Sequence, residues 1–234
     1  MAEEPRTRGA GLNREKVLAA ALQIADAEGL DALSFRRLAA HFKVTPMALY
    51  RYVESKEALL DGIGDLVLSK LELPNPHTGD WREQLRAAAH SFRSQLVAHP
   101  AAVPIFLSRP LFTPAGMRTA DALLGLFRRA GFSTEEAVLR YQQVARYLLA
   151  LVTLETGSGP ELTAEEREER ARVARITFET LPPDKYPHLV EAAPELASPY
   201  DPERAFESGL DLLLAGLERM QSSQRSTTRQ RRQR

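Results

Sequence analysis

Apolar residues recur along the whole chain at the three- and four-residue spacing of an α-helix, without the alternation that marks a strand. Most of the periodic segments begin with a capping residue and end at glycine or proline. A cluster of helix-breaking residues after the first four segments, "LPNPHTGD" (73–80), predicts a domain boundary. The pattern therefore predicts an all-α fold, with an N-terminal three-helix helix-turn-helix domain and a C-terminal helical bundle.

The N-terminal segments have the lengths and separations of a helix-turn-helix. Asn13, Ser34 and Thr45 are placed to cap three helices, and Ser55 is placed to cap the longer helix that follows. Only "KV" separates the second helix from the third. The third helix has about two turns, which is too short to be stable alone. We therefore expect its Leu49 and Val53 side to be buried against the first two helices.

The opposite face of this short helix is free to enter a DNA major groove. Residues 45–48 lie at its N-terminal end, where a recognition helix meets base edges, and Arg36 on the preceding helix suits a guanine edge. Tyr50 and Tyr52 offer hydroxyls to phosphates, and Lys56 offers a charge at the next helix start. A core role for Tyr50 and a solvated one for Lys56 are the alternatives. The predicted DNA-binding residues are Arg36, Thr45, Pro46, Met47, Ala48, Tyr50, Tyr52 and Lys56.

The bundle is predicted to occupy residues 80–221. Its longest segment begins with a capping box from Ser133 to Glu136 and is apolar almost all round from Val144 to Leu154, which favours a central helix. The proline-rich stretch before Pro202 is predicted to be a loop. The other predicted parts are a flexible N-terminus (1–12), the helix-turn-helix domain (13–57), a connecting helix (58–73) and a basic disordered tail (222–234).

Formal net charge is zero, but basic residues are concentrated at two places. Between Ser34 and Lys56, five cations stand against one acid, which is a net charge of +4. The tail carries five arginines and no acid. Local basic patches predict contact with a polyanion, although a solvated charged face also explains each patch taken alone.

The composition narrows the function classes. The 234 residues include no cysteine, which excludes a disulfide scaffold and thiol catalysis. We find no Ser-His-Asp spacing, no phosphate-cradling glycine loop and no histidine pair at metal-ligand spacing, so we predict no catalytic residue, cofactor or metal site. No apolar run reaches the roughly 18 residues of a membrane span, and no secretion signal is visible, so a cytoplasmic location is expected. An all-helical enzyme and a ligand-blind DNA-binding protein are the alternatives.

The stretch "LSFRRLAAHFKVTPMALYRYVESKEALLD" is similar to the helix-turn-helix of the TetR family of bacterial transcriptional repressors. It shares the Leu-Tyr-x-x-Val core and the lysine, Lys56, that follows. The bundle resembles the ligand-binding domain of tetracycline repressors. Together the two resemblances cover about residues 13–220 and are weakest from 158 to 200. The segments that carry this resemblance are "DWREQLRAAAHSFRSQLVAHP", Arg109-Pro110, the turn 131–133, Glu155 and "FESGLDLLLAGLE".

This resemblance implies a homodimer whose two N-terminal heads bind the half-sites of a palindromic operator in double-stranded DNA. It also implies a C-terminal pocket in which a small-molecule effector binds and releases the DNA. We therefore expect a ligand-responsive DNA-binding regulator, with repression as the family's usual mode.

The chain departs from tetracycline repressors at the pocket. Their magnesium–drug complex is held through a histidine that falls near Phe106 here, and another pocket histidine and an asparagine align with Glu72 and Ala88. Phe92, Arg109, Pro110 and Glu155 match. We therefore expect the pocket's position to be kept, its magnesium chemistry to be lost and its effector to be largely apolar.

Polar residues beside the apolar stripes extend the predicted pocket. A buried polar group needs a hydrogen-bonding partner, which is either a ligand or a neighbouring side chain or water. Together with the resemblance, this gives the predicted ligand-binding residues His90, Phe92, Gln95, Phe106, Arg109, Tyr147, Thr153 and Glu155.

The last apolar segment, "PERAFESGLDLLLAGLERM", has a wide apolar face. A face of this width favours a four-helix dimer interface built from two helices of each subunit, with intrachain core as the alternative. The predicted dimerisation residues are Phe206, Leu210, Leu213, Leu217 and Met220.

Overall fold

A computed structural model describes residues 11–75, 79–108, 112–157, 163–198 and 200–232. These residues form α-helices and one 3₁₀ turn without a strand, which confirms the predicted all-α class. The helices are α1 (Arg14–Glu28), α2 (Phe35–Phe42), α3 (Pro46–Leu49), α4 (Lys56–Ser69), α5 (Trp81–Ala98), α6 (Val103–Ser108), α7 (Pro114–Arg129), α8 (Thr134–Thr156), α9 (Ala164–Glu179), α10 (Pro187–Glu191), α11 (Ala193–Leu196) and α12 (Pro202–Arg232), with the 3₁₀ turn at Pro100–Ala102.

Side-chain caps fix where the first helices begin. The Asn13 side chain accepts the N–H of Lys16, and the Ser34 and Ser55 hydroxyl oxygens accept those of Arg37 and Ala58. Such a cap satisfies a backbone donor that the helix leaves unpaired, and contributes about 1 kcal/mol. These three predicted helix starts are confirmed. The fourth differs, because Thr45 precedes α3 without a side-chain capping bond.

The three N-terminal helices α1, α2 and α3 (the DNA-side helices) share one apolar core with the start of α6. Val17, Leu38 and Leu49 are fully buried and lie in the same cluster as Val103 and Ile105. α1 packs against both α2 and α4. Its contact with α4 is close, because a Cβ at Gly62 would collide with the side chain of Leu18. The three short helices are therefore held by a core that reaches the C-terminal helices.

The chain folds as two compact units, and one of them contains the described residues up to Thr156 and from Leu212 onward. In it, α7 packs against α4, α5 and α8, and α5 packs against α8. The predicted capping box at the start of α8 is present, since Ser133 and Glu136 exchange backbone-to-side-chain bonds of 2.8 and 3.2 Å. None of the described helices is long and apolar enough to cross a membrane.

The other unit covers residues 157–211 and lies inside the range predicted as a single domain. α9 packs against α10 and α11. The prediction of a loop before Pro202 was wrong, because the sequence forms α10 and α11 there. Proline at the first or second position of each explains this result, since a missing N–H costs nothing at a helix start.

Two helix ends also differ from the predictions. The connecting helix α4 begins at Lys56, directly after its predicted Ser55 cap, and ends at Ser69, before the end of the predicted range 58–73. α12 continues to Arg232, where the sequence predicted a disordered tail from residue 222. Polar composition predicted disorder there, but glutamine and arginine also have good helix propensity and extend an existing helix.

Candidate DNA-binding surface and ligand cavity

The shortest helix of the DNA side, α3, is held from one side only. Leu49 and Val53 are 0% and 2% exposed, as the apolar pattern predicted. On the other side Met47 is 75% exposed, and Tyr50 is 45% exposed. Packing therefore stabilises a helix too short to persist alone and leaves its first turn open to a groove.

The two predicted tyrosines have different surroundings. The ring of Tyr50 lies flat on that of Phe35, with centroids 4.5 Å apart and planes at 5°. Tyr52 is half-buried against the apolar core. Stacking thus fixes the direction of an exposed hydroxyl at position 50, whereas Tyr52 contributes mainly to packing.

Two neighbouring arginines on α2 are distinguished by an ion pair. Arg37 donates to both carboxylate oxygens of Glu28 on α1, at 2.9 Å from its Nε. The hydrogen bonds hold the pKa of Glu28 below its usual value. Arg36 is exposed and has no ionic or hydrogen-bonding partner within the described ranges. Arg36 is therefore the α2 cation available to a base.

The start of α4 presents a second cation beside the recognition helix. Lys56 is its exposed first residue, and the Ser55 oxygen already accepts the N–H of Ala58. The capped amide is not free for a phosphate, so the Lys56 ammonium carries most of the predicted contact. The exposed hydroxyl of Thr45 makes no capping bond and is free for a base or phosphate.

A cavity of about 240 Å³ opens among α4, α5, α6, α7 and α8. Most of its wall is apolar, which suits a ligand with little polar surface. The apolar wall consists of Leu68, Leu71, Leu73, Leu85, Ala88, Ala89, Phe92, Phe106, Leu123, Val144, Ala145, Leu148 and Leu149. Gly116 also lines it, and its polar wall residues are Glu72, Thr119, Tyr141 and Arg146.

Two of the predicted ligand-binding residues meet in this wall. Phe92 on α5 and Phe106 on α6 contact each other edge to face, with ring centroids 5.8 Å apart. An edge-to-face pair is a favoured aromatic geometry and gives a ligand both a ring face and a ring edge. The pair also makes α6 part of the cavity.

Four more of the predicted pocket residues are described by the structure but do not line the cavity. His90, Gln95, Tyr147 and Thr153 are absent from its wall, and the hydroxyl of Thr153 donates to the Leu149 carbonyl at 2.7 Å. Arg109 lies outside the described residues, as does Pro110. His90, Gln95, Tyr147 and Thr153 were predicted because they lie on or beside apolar helix faces. Such a pattern does not show which side of the face borders a cavity.

Glu155 has a different partner from the one predicted. Its two oxygens accept bonds of 2.8 Å each from Nε and Nη2 of Arg93. The two side chains are only 13% and 14% exposed. A shielded two-bond pair of this kind joins α8 to α5 and occupies the carboxylate. Glu155 therefore belongs to the framework beside the cavity.

The donor set does not suit a divalent metal ion. Among the described residues, Glu72 is the single carboxylate in the cavity wall, and Glu155 is occupied by Arg93. Across the described residues, no group of three histidine, cysteine or acidic side chains is close enough to hold a metal. A hard cation prefers several oxygen ligands, which this wall does not supply.

None of the four polar wall residues was among the predicted ligand-binding residues, and Tyr141 and Glu72 show why. Tyr141 lies one and two turns from Val144 and Leu148 on α8, and burial raises its phenol pKa. Glu72 follows α4, and its N–H donates to the Ser91 hydroxyl on α5 at 2.9 Å. The alignment that placed Glu72 and Ala88 at pocket positions contained the signal, since both line the cavity.

The predicted dimerisation residues fall into two groups. Phe206, Leu210 and Leu217 are at most 5% exposed within a single chain, so they are not available to a partner. Met220 is 44% exposed, and Leu213 is half-buried. Leu212, which was not among the predicted dimerisation residues, is 74% exposed. The available apolar stripe on α12 is therefore rotated from the predicted one.

The chain matches two protein-family models. Residues 17–63 match bacterial regulatory proteins of the tetR family, and residues 73–221 match the tetracyclin repressor-like C-terminal domain. The transcriptional repressor DrrR1 of Streptomyces coeruleorubidus is 31% identical over 88% of this chain and 77% of its own length. The class C tetracycline repressor protein of Escherichia coli is 31% identical over 89% of this chain and 92% of its own.

A solved structure supports the same relationship. ActR of Streptomyces coelicolor, in complex with actinorhodin, is 32% identical and superposes with a TM-score of 0.79. The match covers 90% of this chain and 98% of that one. Both the helix-turn-helix and the ligand-binding region therefore have solved counterparts.

Proposed function

The chain belongs to the TetR family of bacterial transcriptional regulators, and on this premise we propose that it is a repressor released from its operator by a largely apolar small molecule. It is a ligand-responsive DNA-binding regulator. One observation carries the proposal. The exposed helix α3 and the cavity lie in the same compact unit, and α4, which follows α3 in the chain, borders the cavity.

We assign DNA contact to the exposed side of α2 and α3 and to the start of α4. Arg36 reads a base edge, residues 45–48 face the groove floor, and Tyr50 and Lys56 bind phosphates. The exposure of Arg36, Met47 and Lys56 and the stacking of Tyr50 on Phe35 support this assignment. Tyr52 is assigned a supporting role, since it packs against the core.

The effector site is assigned to the cavity around Phe92 and Phe106. Aromatic rings on α5, α6 and α8 favour an effector with flat rings, and Tyr141 and Glu72 offer a hydrogen-bond donor and a carboxylate. ActR has been solved with actinorhodin, and a repressor from Acinetobacter baumannii with minocycline. Both compounds are therefore suitable first probes. Because the wall does not supply a metal's ligands, no step in the proposal uses a metal ion.

Members of this family act as dimers, and we place the dimer contact on α12. Leu212, Gly216 and Met220 are four residues apart and form one stripe beside the buried stripe of Leu210, Leu214 and Leu217. Glycine at the middle position allows close approach of a second helix. The stripe keeps Met220 from the predicted set, and its Leu212 and Gly216 take the place of the buried Phe206, Leu210 and Leu217.

We place the protein in the bacterial cytoplasm, where chromosomal DNA lies, and assign it no catalytic step. The experiment that tests the function begins with selection of genomic fragments bound by the full-length chain. The complex with a selected fragment is then titrated with actinorhodin, minocycline and compounds made by products of the neighbouring genes. Release by a ring-containing compound, with loss of that response in Phe106→Ala, supports the proposal. A complex that no compound releases, or equal release of the variant, contradicts it.

A further inference from the structure

A single carboxylate of the DNA side binds the turn that leads into the cavity. Asp26 lies in the last turn of α1, and its Oδ2 is 2.8 Å from Nδ1 of His99. Its Oδ1 accepts the N–H of Ala101 at 3.3 Å. The Asp26 and His99 side chains are only 22% and 23% exposed, so water competes weakly for these bonds.

A second carboxylate contact lies on the other side of α6. Asp65 on α4 accepts the N–H of Ala115 in the first turn of α7, at 2.7 Å. α6, which carries the cavity residue Phe106, therefore lies in sequence between two backbone positions held by carboxylates of α1 and α4. The Asp26 contact at Ala101 is the nearer of the two to Phe106 along the chain.

The hydrogen bonds of Asp26 constrain the position of α1 relative to the turn before α6 more tightly than the surrounding apolar core does. Val103 and Ile105 of α6 share an apolar cluster with Leu22 of α1, but apolar contact is non-directional and tolerates sliding. Hydrogen bonds constrain distance and angle together. Two bonds on one carboxylate therefore fix the register of α1 against the turn before α6.

We propose that Asp26 is a positioning residue for the effector response. Through its two bonds, α1 follows a movement of α6 that the effector causes, and the movement of α1 changes the orientation of α2 and α3. The inference rests on the proposed function, since it names the contact through which the cavity and the DNA surface are coupled. His99 and the Ala101 N–H are its partners on the cavity side. Because α1 packs directly against α2, a tilt of α1 reaches the recognition helix through one further contact.

Coupling between two sites is reciprocal, so the link is testable from the DNA side without a known effector. The probe is a genomic fragment selected by the full-length protein, and the readout is hydrogen exchange of backbone amides. In the wild type, DNA should slow exchange in α3 and also, by about fivefold or more, in residues 101–108. In Asp26→Ala and His99→Ala, slowing in α3 should persist while slowing in 101–108 is lost. The double variant should lose no more than either single variant.

The chain offers a matched control in the same turn of α1. Glu28→Ala breaks the pair with Arg37, which lies wholly within the DNA-side helices, and should leave the response of 101–108 intact. The inference is overturned if 101–108 do not respond in the wild type, or if both pair variants keep the full response. It is also overturned if both variants, and the milder Asp26→Asn, fold but no longer bind DNA, because the pair then serves binding itself. Absence of any DNA-dependent slowing in wild-type α3 would instead contradict the proposed function.

Discussion

The ring of Tyr50 lies parallel to that of Phe35, with the two centroids 4.5 Å apart. Phe35 is the first residue of α2, and Tyr50 directly follows α3, so the stack connects the two helices of the helix-turn-helix. It holds an exposed phenol in one direction at low cost in entropy. Phe35 therefore affects DNA binding although its own ring is half-buried.

Replacing Phe35 with alanine should weaken operator binding about three- to tenfold, because a stacked aromatic pair contributes about 0.5–1.5 kcal/mol. Tyr50→Ala should have an effect of at least this size, and the double variant should add little to it. Fluorescence anisotropy with a labelled operator measures all three affinities. Fully additive losses would mean that Phe35 does not act through Tyr50.

Arg36 and Lys56 should differ in the kind of binding that they support. Arg36→Ala should relax base preference at one position of each half-site, since its guanidinium is assigned to a base edge. Lys56→Ala should weaken binding evenly across sequences and lower the salt slope by about one. Competition with single-base operator variants over a range of salt concentrations separates the two effects. An unchanged salt slope in Lys56→Ala would remove the phosphate assignment.

Glu155→Ala should lower stability and leave effector affinity little changed. Removing Glu155 takes two charge-assisted hydrogen bonds from the Arg93 guanidinium in a shielded site, and such losses cost about 3 kcal/mol or more. A urea unfolding curve measures the change. Glu169→Ala, which breaks an exposed pair with Arg172, is the control and should leave the midpoint unchanged. A Glu155→Ala protein with unchanged stability and weakened effector binding would show that Glu155 is a ligand-binding residue.

Leu212→Glu should convert the dimer to a monomer at micromolar concentration, because it places a charge on the proposed apolar stripe. Leu196→Glu, at another exposed leucine, is the matched control and should leave the mass unchanged. Sedimentation equilibrium gives the mass of each variant. A dimeric Leu212→Glu protein of normal stability would place the interface elsewhere.

Features of the fold that depend on residues close together in the chain were predictable from the sequence. The caps at Asn13, Ser34 and Ser55 depend on residues three positions away, and all three are present. The burial of Leu49 and Val53 was predictable because a helix of this length needs support. Arg93 and Glu155 are 62 positions apart, and no periodicity along the chain announces their pairing.

The orientation of wide apolar faces was not predictable. α12 has apolar residues over most of its circumference, so the sequence did not separate the buried Leu217 from the exposed Leu212. α8 posed the same difficulty, and Tyr141 rather than Tyr147 lines the cavity. In both helices, tertiary contacts with other elements determine which side is buried, and the sequence of the helix alone does not show these contacts.

A DNase I footprint on a genomic fragment selected by the full-length chain tests the central claim most directly. The account predicts protection of a short palindrome, with half-site centres one helical turn or a multiple apart, as expected for a dimer with one recognition helix per half-site. Uniform protection along any DNA, or no protection at all, would contradict it.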